Sequence, residues 1–389
     1  MKDTAYFDVK SCDLAEFAQM AEQTLSTSDL RFATSVEKNV PIYDMAGLQD
    51  MLNDPPQRAA LLAEWAHVLG QSAGVVALKS AYTDTAPIDA ATGIFRQIIA
   101  REKDGGSSGG ADHFAKAGAN DRIWNALQKH CLEDPRAFAL YYGNTTIAAV
   151  CEAWLGPFYQ MTAQVNVVRP GGQAQSAHRD YHLGFQTAEV AARFPAHVHD
   201  LSSVMTLQGA VAHCDMPIES GPTKLLPFSQ LFRPGYMAYR REDFRDYFEE
   251  HCIQLPLSKG DAIFFNPALF HAAGENHSAD IHRMANLLQI SSALGRAMEV
   301  IDRSGMCRAL YPAVQALRAE GMLDDAATTA AVGAAAEGYS FPTNLDNDPP
   351  LGGLAPETQA ALFHRALSED LSPQAFAQAL AAQDARRRP

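Results

Sequence analysis

The segment SAHRDYH contains a histidine and an aspartate two positions apart, His178 and Asp180. Side chains two positions apart on an extended segment point to the same side, so both can reach one ion. A third possible ligand, His271, ends the strongly apolar run GDAIFFNPALFH at 260–271. Two imidazoles and one carboxylate on one side of Fe(II) leave three coordination positions open. Those positions can hold a bidentate cosubstrate and dioxygen.

The H-x-D pattern is weak evidence when it stands alone. The chain has 13 histidines, and chance supplies about one such pattern in a chain of this kind. A lone histidine at the end of a strand, such as His271, is usually a hydrogen-bonded core residue. The order of the features around these residues therefore has to decide between a metal site and ordinary packing.

Further features occur in a fixed order between residues 158 and 296. A strand-like segment ends in the turn RPGG and leads to the ligand pair in AHRD. The segments SGPTKLLPFSQ (220–230) and KGDAIFFNPALFHAAGENHS (259–278) follow, and Arg283 stands twelve residues after His271. In this order the motifs resemble those of the phytanoyl-CoA dioxygenase family of Fe(II)/2-oxoglutarate oxygenases. By motif, the resemblance covers roughly a third of the chain.

The resemblance implies a fold and a ligand set. The fold is a double-stranded β-helix, a cupin-like jelly roll with a mainly β core and flanking helices. The implied iron ligands are His178, Asp180 and His271, and Arg283 is implied to bind the distal carboxylate of 2-oxoglutarate. The chemistry of arginine agrees, because its planar guanidinium matches a carboxylate and stays charged when buried. A surface salt bridge is the alternative for Arg283.

The second contact to 2-oxoglutarate is less well defined. Ala273 stands two positions after His271, where some relatives have a hydroxyl that helps to hold the cosubstrate. Gln164 is our first candidate to replace that contact, and a purely structural strand amide is the alternative for it. Thr223 is a further candidate for the cosubstrate site. Other candidates are Thr162, Asn166 and Ser291.

The carboxylate at position 180 bears on the type of reaction. Relatives that halogenate have a small residue there, so Asp180 indicates hydroxylation or another oxygen-derived oxidation. We expect an enzyme that hydroxylates a C–H bond of a small molecule with O2 and releases succinate and CO2. Desaturation, epoxidation and ring closure remain open. The alternatives are a 2-oxoglutarate-independent metalloenzyme on the same fold and a non-catalytic jelly roll that binds a metal or a small ligand.

Charge and composition limit the partners. The chain of 389 residues has a net charge of −14, which disfavours binding to nucleic acid or to an anionic membrane. Six scattered cysteines are typical of a reducing cytoplasm, where we expect the protein to be found. The segment after the ligand pair could receive an anionic group of the substrate, although a solvated loop is the alternative. Its basic side chains are Arg179, Arg193, His197 and His199.

The elements that position these residues follow from the apolar pattern. Strand-like runs at 158–168, 202–215, 260–271 and 282–294 predict an all-β barrel or a jelly roll, and the resemblance implies a jelly-roll core over residues 158–296. Residues 1–157 are predicted to be mainly helical, with a Gly/Ser loop at 105–110, and residues 297–389 are predicted to be a helical extension. We therefore expect a single catalytic domain over 1–389. The sequence does not determine the oligomeric state.

Overall fold

The computed structural model describes residues 5–104 and 120–389. The predicted Gly/Ser loop at 105–110 lies outside the described residues. Within the described part of the chain, no helix has both the length and the apolar character needed to cross a membrane. The secondary structure is a mixture of helices and strands, and most of the strands belong to one large sheet.

The large sheet has eight strands in the described residues. Their bounds are Ser35–Glu37 (β1), Val40–Asp44 (β2), Val75–Lys79 (β3), Asn120–Ile123 (β4), Gln160–Val168 (β5), Thr206–Ala212 (β6), Ala262–Phe265 (β8) and Arg283–Ser291 (β10). The strands lie in the order β1-β2-β3-β8-β6-β10-β5-β4, and the two remaining strands of the described residues form a separate sheet. The β2–β3 pair is parallel and the other pairs are antiparallel.

The second sheet is short but carries one of the candidate ligands. Its strands are Lys224–Leu225 (β7) and His271–Ala272 (β9), which pair in antiparallel register. Isolated bridges extend it, because His178 pairs with His271 and Leu225 pairs with Ile253. The small sheet therefore brings the segment of His178 directly alongside the segment of His271.

Fifteen α-helices surround these sheets in the described residues. Their bounds are Leu14–Ala21 (α1), Met45–Leu48 (α2), Pro55–Gln71 (α3), Ala86–Asp104 (α4), Ala126–Glu133 (α5), Pro135–Tyr142 (α6), Thr145–Leu155 (α7), Ala188–Ala191 (α8), Ala196–Val204 (α9), Gly235–Ala238 (α10), Glu242–His251 (α11), Arg303–Ala319 (α12), Asp325–Ala335 (α13), Gln359–Ser368 (α14) and Pro373–Arg387 (α15). Helix α3 begins as the sequence indicates, because Pro55 suits the first turn and the side chain of Asp54 accepts a hydrogen bond from the backbone N of Gln57 at 3.2 Å.

The helices cover the large sheet with apolar side chains. Helix α3 contacts β3, α7 contacts β6, and both α5 and α13 contact β5. On α3 the buried side chains recur at helical spacing, as the sequence predicts, and they are Leu61, Trp65, Val68 and Leu69. A second cluster of buried residues packs aromatic rings around Phe17, and includes Phe232, Phe244 and Phe270. Phe270 directly precedes His271, so this packing supports the small sheet beside the candidate ligands.

The large sheet extends beyond the segment that the sequence predicts for it. The four predicted strand segments contain β5, β6, β8 with the first residue of β9, and β10, although residues 202–204 end α9 instead. The strands β1 to β4 lie within residues 1–157, which the sequence pattern predicts as mainly helical. Strands β2 and β3 have five residues each, of which the first four are buried. Runs this short and this uniformly buried lack the alternation that reveals a strand.

Two histidines, His130 and His213, are buried in the protein interior. His213 follows β6, and its Nδ1 lies 2.8 Å from Oγ1 of Thr92 while its Nε2 lies 2.9 Å from the hydroxyl of Tyr141. His130 on α5 packs its ring against that of Phe95, and neither of its ring nitrogens has a hydrogen-bond partner among the described residues. Burial lowers the pKa of His130 to about 4 and that of His213 to about 3.

These histidines predict a loss of stability in acid. In the unfolded chain both rings bind a proton near pH 6.5, whereas the folded protein holds them neutral to a lower pH. The free energy of unfolding should therefore be highest above pH 6.5 and should fall as the pH drops towards 4. A shift of this size at one histidine corresponds to about 2 kcal/mol between pH 7 and pH 5. Urea unfolding at several pH values measures the change.

The matched variants are His130→Leu and His277→Leu. The leucine that replaces His130 would be buried and unable to titrate, so that variant should show a flatter dependence of unfolding free energy on pH. The imidazole of His277 is exposed, so its replacement should leave the pH dependence of the unfolding free energy unchanged. If His130→Leu and the parent protein lose the same free energy between pH 7 and pH 5, His130 is not the source.

Candidate metal centre

Three potential metal ligands meet where the small sheet joins the segment after β5. The backbone N of His178 donates to the carbonyl of His271 at 3.0 Å, and the reverse bond measures 3.1 Å. The backbone N of Asp180 donates to the carbonyl of Pro267 at 2.9 Å. As a result, one ligand atom from each of His178, Asp180 and His271 lies within 4.8 Å of the other two. Backbone pairing, and not sequence proximity, brings His271 to the H-x-D pair.

Both imidazoles are oriented as metal ligands require. Nδ1 of His178 lies 2.9 Å from the carbonyl of Ser176, and Nδ1 of His271 lies 2.8 Å from the carbonyl of Leu269. A ring that donates its Nδ1–H to a carbonyl keeps the lone pair of Nε2 for a metal. Both Nε2 atoms face the carboxylate of Asp180. Nε2 of His178 lies 3.7 Å from Oδ1, and Nε2 of His271 lies 3.4 Å from Oδ2. Ligand atoms about 2.1 Å from one ion can be at most about 4.2 Å apart, so both separations allow the two atoms to share one ion.

The electrostatics keep Asp180 and His178 in their ligand form. Burial raises the pKa of the Asp180 carboxyl, but His178, His271 and the amide of Gln208 together outweigh it and hold that pKa below its usual range. Burial, reinforced by the neighbouring His271, lowers the pKa of His178. At neutral pH the site therefore offers a carboxylate anion beside a neutral His178 imidazole. Two nitrogen donors and one oxygen donor suit Fe(II) in chemistry and number.

The candidate ligands open onto a cavity of about 990 Å³. The small sheet contributes His271 and Ala272 to its wall, and the large sheet contributes residues of β4, β5, β6, β8 and β10. All six residues predicted for the metal and cosubstrate sites line this cavity: Gln164, His178, Asp180, Thr223, His271 and Arg283. Of the other candidates for the cosubstrate contact, Asn166 also lines the cavity, whereas Thr162 and Ser291 do not.

Arg283 is a buried cation in the cavity wall. Its relative exposure is 8%, which does not fit the alternative of a surface salt bridge. Its Nη1 donates to the carbonyls of Ser220 at 3.0 Å and Gly274 at 3.3 Å. Burial lowers the pKa of Arg283 to about 10, so the guanidinium stays charged at neutral pH. Two carbonyls hold Nη1 in place without neutralising the charge.

The candidates for a second cosubstrate contact differ in their surroundings. Gln164 accepts a hydrogen bond from Nη1 of Arg122 at 2.8 Å and donates one to Oε1 of Gln289 at 3.3 Å. Its amide is therefore engaged at both ends. Thr223 lines the cavity and is half-buried. The hydroxyl of Thr162 donates to the carbonyl of Gln289 at 2.9 Å, which commits it to the sheet.

The basic segment after the ligand pair does not form a patch in the cavity. Arg179 lines the cavity but is 1% exposed, and it donates to the carbonyls of Ser229 and Phe232 at 2.6 and 2.9 Å. His199 is buried and its Nε2 lies 3.0 Å from the carbonyl of Ala191. Arg193 and His197 are exposed and do not line the cavity. Arg179 and His199 are therefore packing residues, which sequence alone could not separate from binding residues.

Sequence reasoning missed several polar residues of the cavity. Gln208 on β6 donates its Nε2 to Oδ2 of Asp180 at 2.9 Å. Arg122, Gln289 and Glu299 also face the cavity. The one signal for Gln208 was a polar side chain within the apolar strand TLQGAVA. Nothing local connected it to an aspartate earlier in the chain.

The family model for phytanoyl-CoA dioxygenase (PhyH) matches residues 58–285. That match includes more than half of the chain and contains His178, Asp180, His271 and Arg283. The chain belongs to the phytanoyl-CoA dioxygenase family. The predicted resemblance is thereby confirmed. The predicted cofactors of the site, Fe(II), 2-oxoglutarate and O2, are those of the PhyH family, and the His-Asp-His group fits the iron among them.

Individual relatives are distant. Dioxygenase andF of Emericella variicolor is 25% identical over 139 residues, which are 35% of this chain and 43% of that protein. The match thus spans less than half of its length. One similar solved structure is the epimerase SnoN, described in complex with Fe3+, alpha ketoglutarate and nogalamycin RO. It is 18% identical, and its TM-score is 0.42. The match covers 60% of this chain and 85% of the SnoN chain. The carbocyclase SnoK from nogalamycin biosynthesis is also 18% identical, with a TM-score of 0.41, over 59% of this chain and 83% of its own.

Proposed function

We propose that this protein is an Fe(II)/2-oxoglutarate-dependent oxygenase that hydroxylates a C–H bond of a small molecule and releases succinate and CO2. One observation carries the proposal: two oriented imidazoles, a carboxylate and a buried charged arginine open onto a single cavity. His178, Asp180 and His271 are the proposed iron ligands. Arg283 is the proposed partner of the distal carboxylate of 2-oxoglutarate, with Thr223 and Gln164 as further proposed contacts.

The wall between the metal ligands and Arg283 suits the cosubstrate. Along β10, every second residue from Arg283 lines the cavity, namely Arg283, Ala285, Leu287 and Gln289. Beside them on β6, Ala210 is the register partner of Leu287, and Gln208 is the partner of Gln289. The side chains of Ala210, Ala285 and Leu287 thus line the wall between the amides of Gln208 and Gln289 and the guanidinium of Arg283. The two methylene groups of 2-oxoglutarate would pack against this apolar part of the wall.

The chain's own residues bind, orient and exclude water. When bound, the iron supplies the activation of O2. Arg283 fixes the far end of the cosubstrate through two parallel hydrogen bonds, which sets the direction of its keto acid end. The aromatic ring of Phe265 has its centroid 4.8 Å from that of the His271 ring. It covers the side of the cavity that holds the proposed metal ligands and keeps water away from them. Positioning of the substrate C–H bond then determines specificity.

The remaining space is the proposed substrate site. A cavity of about 990 Å³ is at the upper end of the range for drug-sized ligands, and 2-oxoglutarate has only ten non-hydrogen atoms. Its wall includes the guanidinium of Arg122, the carboxylate of Glu299 and the amide of Gln289. We propose a small molecule with several hydrogen-bonding groups. Arg179 would not receive an anionic group of this molecule, since its guanidinium is 1% exposed and enclosed by aromatic rings.

The architecture we infer is a double-stranded β-helix within a single catalytic domain. The large and small sheets both line the cavity, as the two walls of such a fold do. The contacts of helix α12 with α5 and α6 support one core shared by the helical extension and the preceding helices. The residues 297–389 would therefore be part of the catalytic domain.

The test is an anaerobic titration of the protein with Fe(II), with and without 2-oxoglutarate. The proposal expects a visible metal-to-ligand charge-transfer band only when both are present, and its loss in His178→Ala. His277→Ala, which changes an exposed histidine, should keep the band. Metal binding without a band would contradict the cosubstrate claim and favour a 2-oxoglutarate-independent enzyme. A band with no succinate release in a broad substrate screen would favour a non-catalytic binding protein.

A further inference from the structure

Gln208 is a side chain outside the proposed ligand set that touches one of its members. Its Nε2 donates to Oδ2 of Asp180 at 2.9 Å. The residue lies on β6 between two other strands of the large sheet, where Phe265 and Gln289 are its register partners. Because its backbone is paired on both sides, Gln208 presents its amide from a fixed position. Its Oε1 is buried and has no hydrogen-bond partner in the described parts of the chain.

The contact selects between the two oxygens of Asp180. Oδ2 accepts the amide N–H of Gln208 at 2.9 Å and lies 3.4 Å from Nε2 of His271, while Oδ1 has no such donor and lies 3.7 Å from Nε2 of His178 among the described residues. A carboxylate can bind a metal through one oxygen or through both. An oxygen that already accepts a hydrogen bond along one of its lone pairs is less available to the ion. Oδ1 is therefore the oxygen that the arrangement leaves for the metal.

The number of oxygens that bind the metal matters for the chemistry. Three protein ligand atoms leave three positions on a six-coordinate ion, and 2-oxoglutarate with O2 needs all three. If Asp180 bound through both oxygens, two positions would remain. The bidentate cosubstrate would then compete with the second carboxylate oxygen, and O2 would have no position of its own.

We propose that Gln208 is a positioning residue that holds Asp180 as a one-oxygen ligand and so keeps a coordination position free for the cosubstrate. The inference rests on the proposed function, because it concerns the same metal. It assigns Gln208 no contact with the substrate. Its effect is transmitted through the carboxylate of Asp180.

The test separates metal affinity from cosubstrate affinity. Gln208→Leu has nearly the same volume and no donor, so Asp180 becomes free to bind with both oxygens. We expect the dissociation constant of Fe(II), titrated anaerobically, to change by less than about threefold. The dissociation constant of 2-oxoglutarate, measured by the charge-transfer band of the Fe(II)-loaded protein, should rise about tenfold, the usual scale of a hydrogen bond to a charged group. Gln208→Met serves if the leucine variant does not fold.

The control is Gln160→Leu. Gln160 also lies in the large sheet and donates its amide to oxygen atoms, the carbonyls of Ser292 and Gly295, but it does not line the cavity. Both dissociation constants should match the parent protein in this variant.

Three outcomes overturn the proposal or its basis. If Gln208→Leu weakens Fe(II) binding and leaves 2-oxoglutarate binding to the loaded protein unchanged, Gln208 only supports the ligand. If neither constant changes, the hydrogen bond has no role in the site. If the parent protein itself forms no charge-transfer band, the proposed function fails first. If instead the parent protein forms the band and Gln208→Leu has the same two dissociation constants, the role of Gln208 fails and the proposed function does not.

Discussion

Asp180→Ala should abolish the Fe(II)–2-oxoglutarate charge-transfer band and lower the affinity for Fe(II) at least about a hundredfold. The carboxylate is the only anionic member of the group formed with His178 and His271. Its removal takes away both a ligand atom and the negative charge that attracts the cation. Anaerobic Fe(II) titration measures the affinity, and succinate release in air should fall to background.

Asp346→Ala is the control for this variant. Asp346 is exposed and lies in the helical extension, so its removal changes net charge by the same amount without touching the cavity. Circular dichroism should show both variants folded. An Asp180→Ala protein that binds Fe(II) as tightly as the Asp346→Ala protein would contradict the proposed ligand set.

Arg283→Ala should raise the dissociation constant of 2-oxoglutarate about a hundredfold and leave the affinity for Fe(II) nearly unchanged. The buried guanidinium is the proposed counter-charge of the distal carboxylate, and removing one partner of a buried charge pair costs about 2–5 kcal/mol. The dissociation constant of 2-oxoglutarate in Arg283→Lys should lie between those of the parent protein and Arg283→Ala, since lysine keeps the charge and loses the planar fork. The charge-transfer band of the Fe(II)-loaded protein measures binding of the cosubstrate.

A 2-oxo acid without the distal carboxylate, such as 2-oxobutyrate, sharpens this test. The parent protein should strongly prefer 2-oxoglutarate, and Arg283→Ala should lose that preference. Arg303→Lys is the matched control, because Arg303 is also largely buried and donates to backbone carbonyls, those of Ala335 and Met161, but lies outside the cavity. Equal preference ratios in the parent and in Arg283→Ala would place the cosubstrate carboxylate elsewhere.

The sequence determined the chemistry of this protein to a large extent. The H-x-D pair, a histidine at the end of an apolar strand and an arginine twelve residues later are local patterns, and their order within 158–296 was specific enough to indicate the family. The strands β5, β6 and β10 were also foreseeable, because they have seven or nine residues and enough alternation to be recognised.

Only the tertiary structure decided what these residues face. The amide of Gln208 reaches Asp180 because β6 lies beside β10 in the sheet, and no sequence spacing encodes that neighbour. Arg179 and Arg283 both line the cavity and both donate to backbone carbonyls. Arg179 lies over the rings of Tyr236 and Phe270 and is 1% exposed, whereas Arg283 is 8% exposed on a strand that also contributes Ala285 and Leu287 to the cavity wall. The strands β2 to β4 were invisible for a related reason, since pairing with strands distant in sequence stabilises them more than their own short sequences do. Local pattern determines which chemistry a chain can offer, and long-range pairing determines which side chains share one cavity.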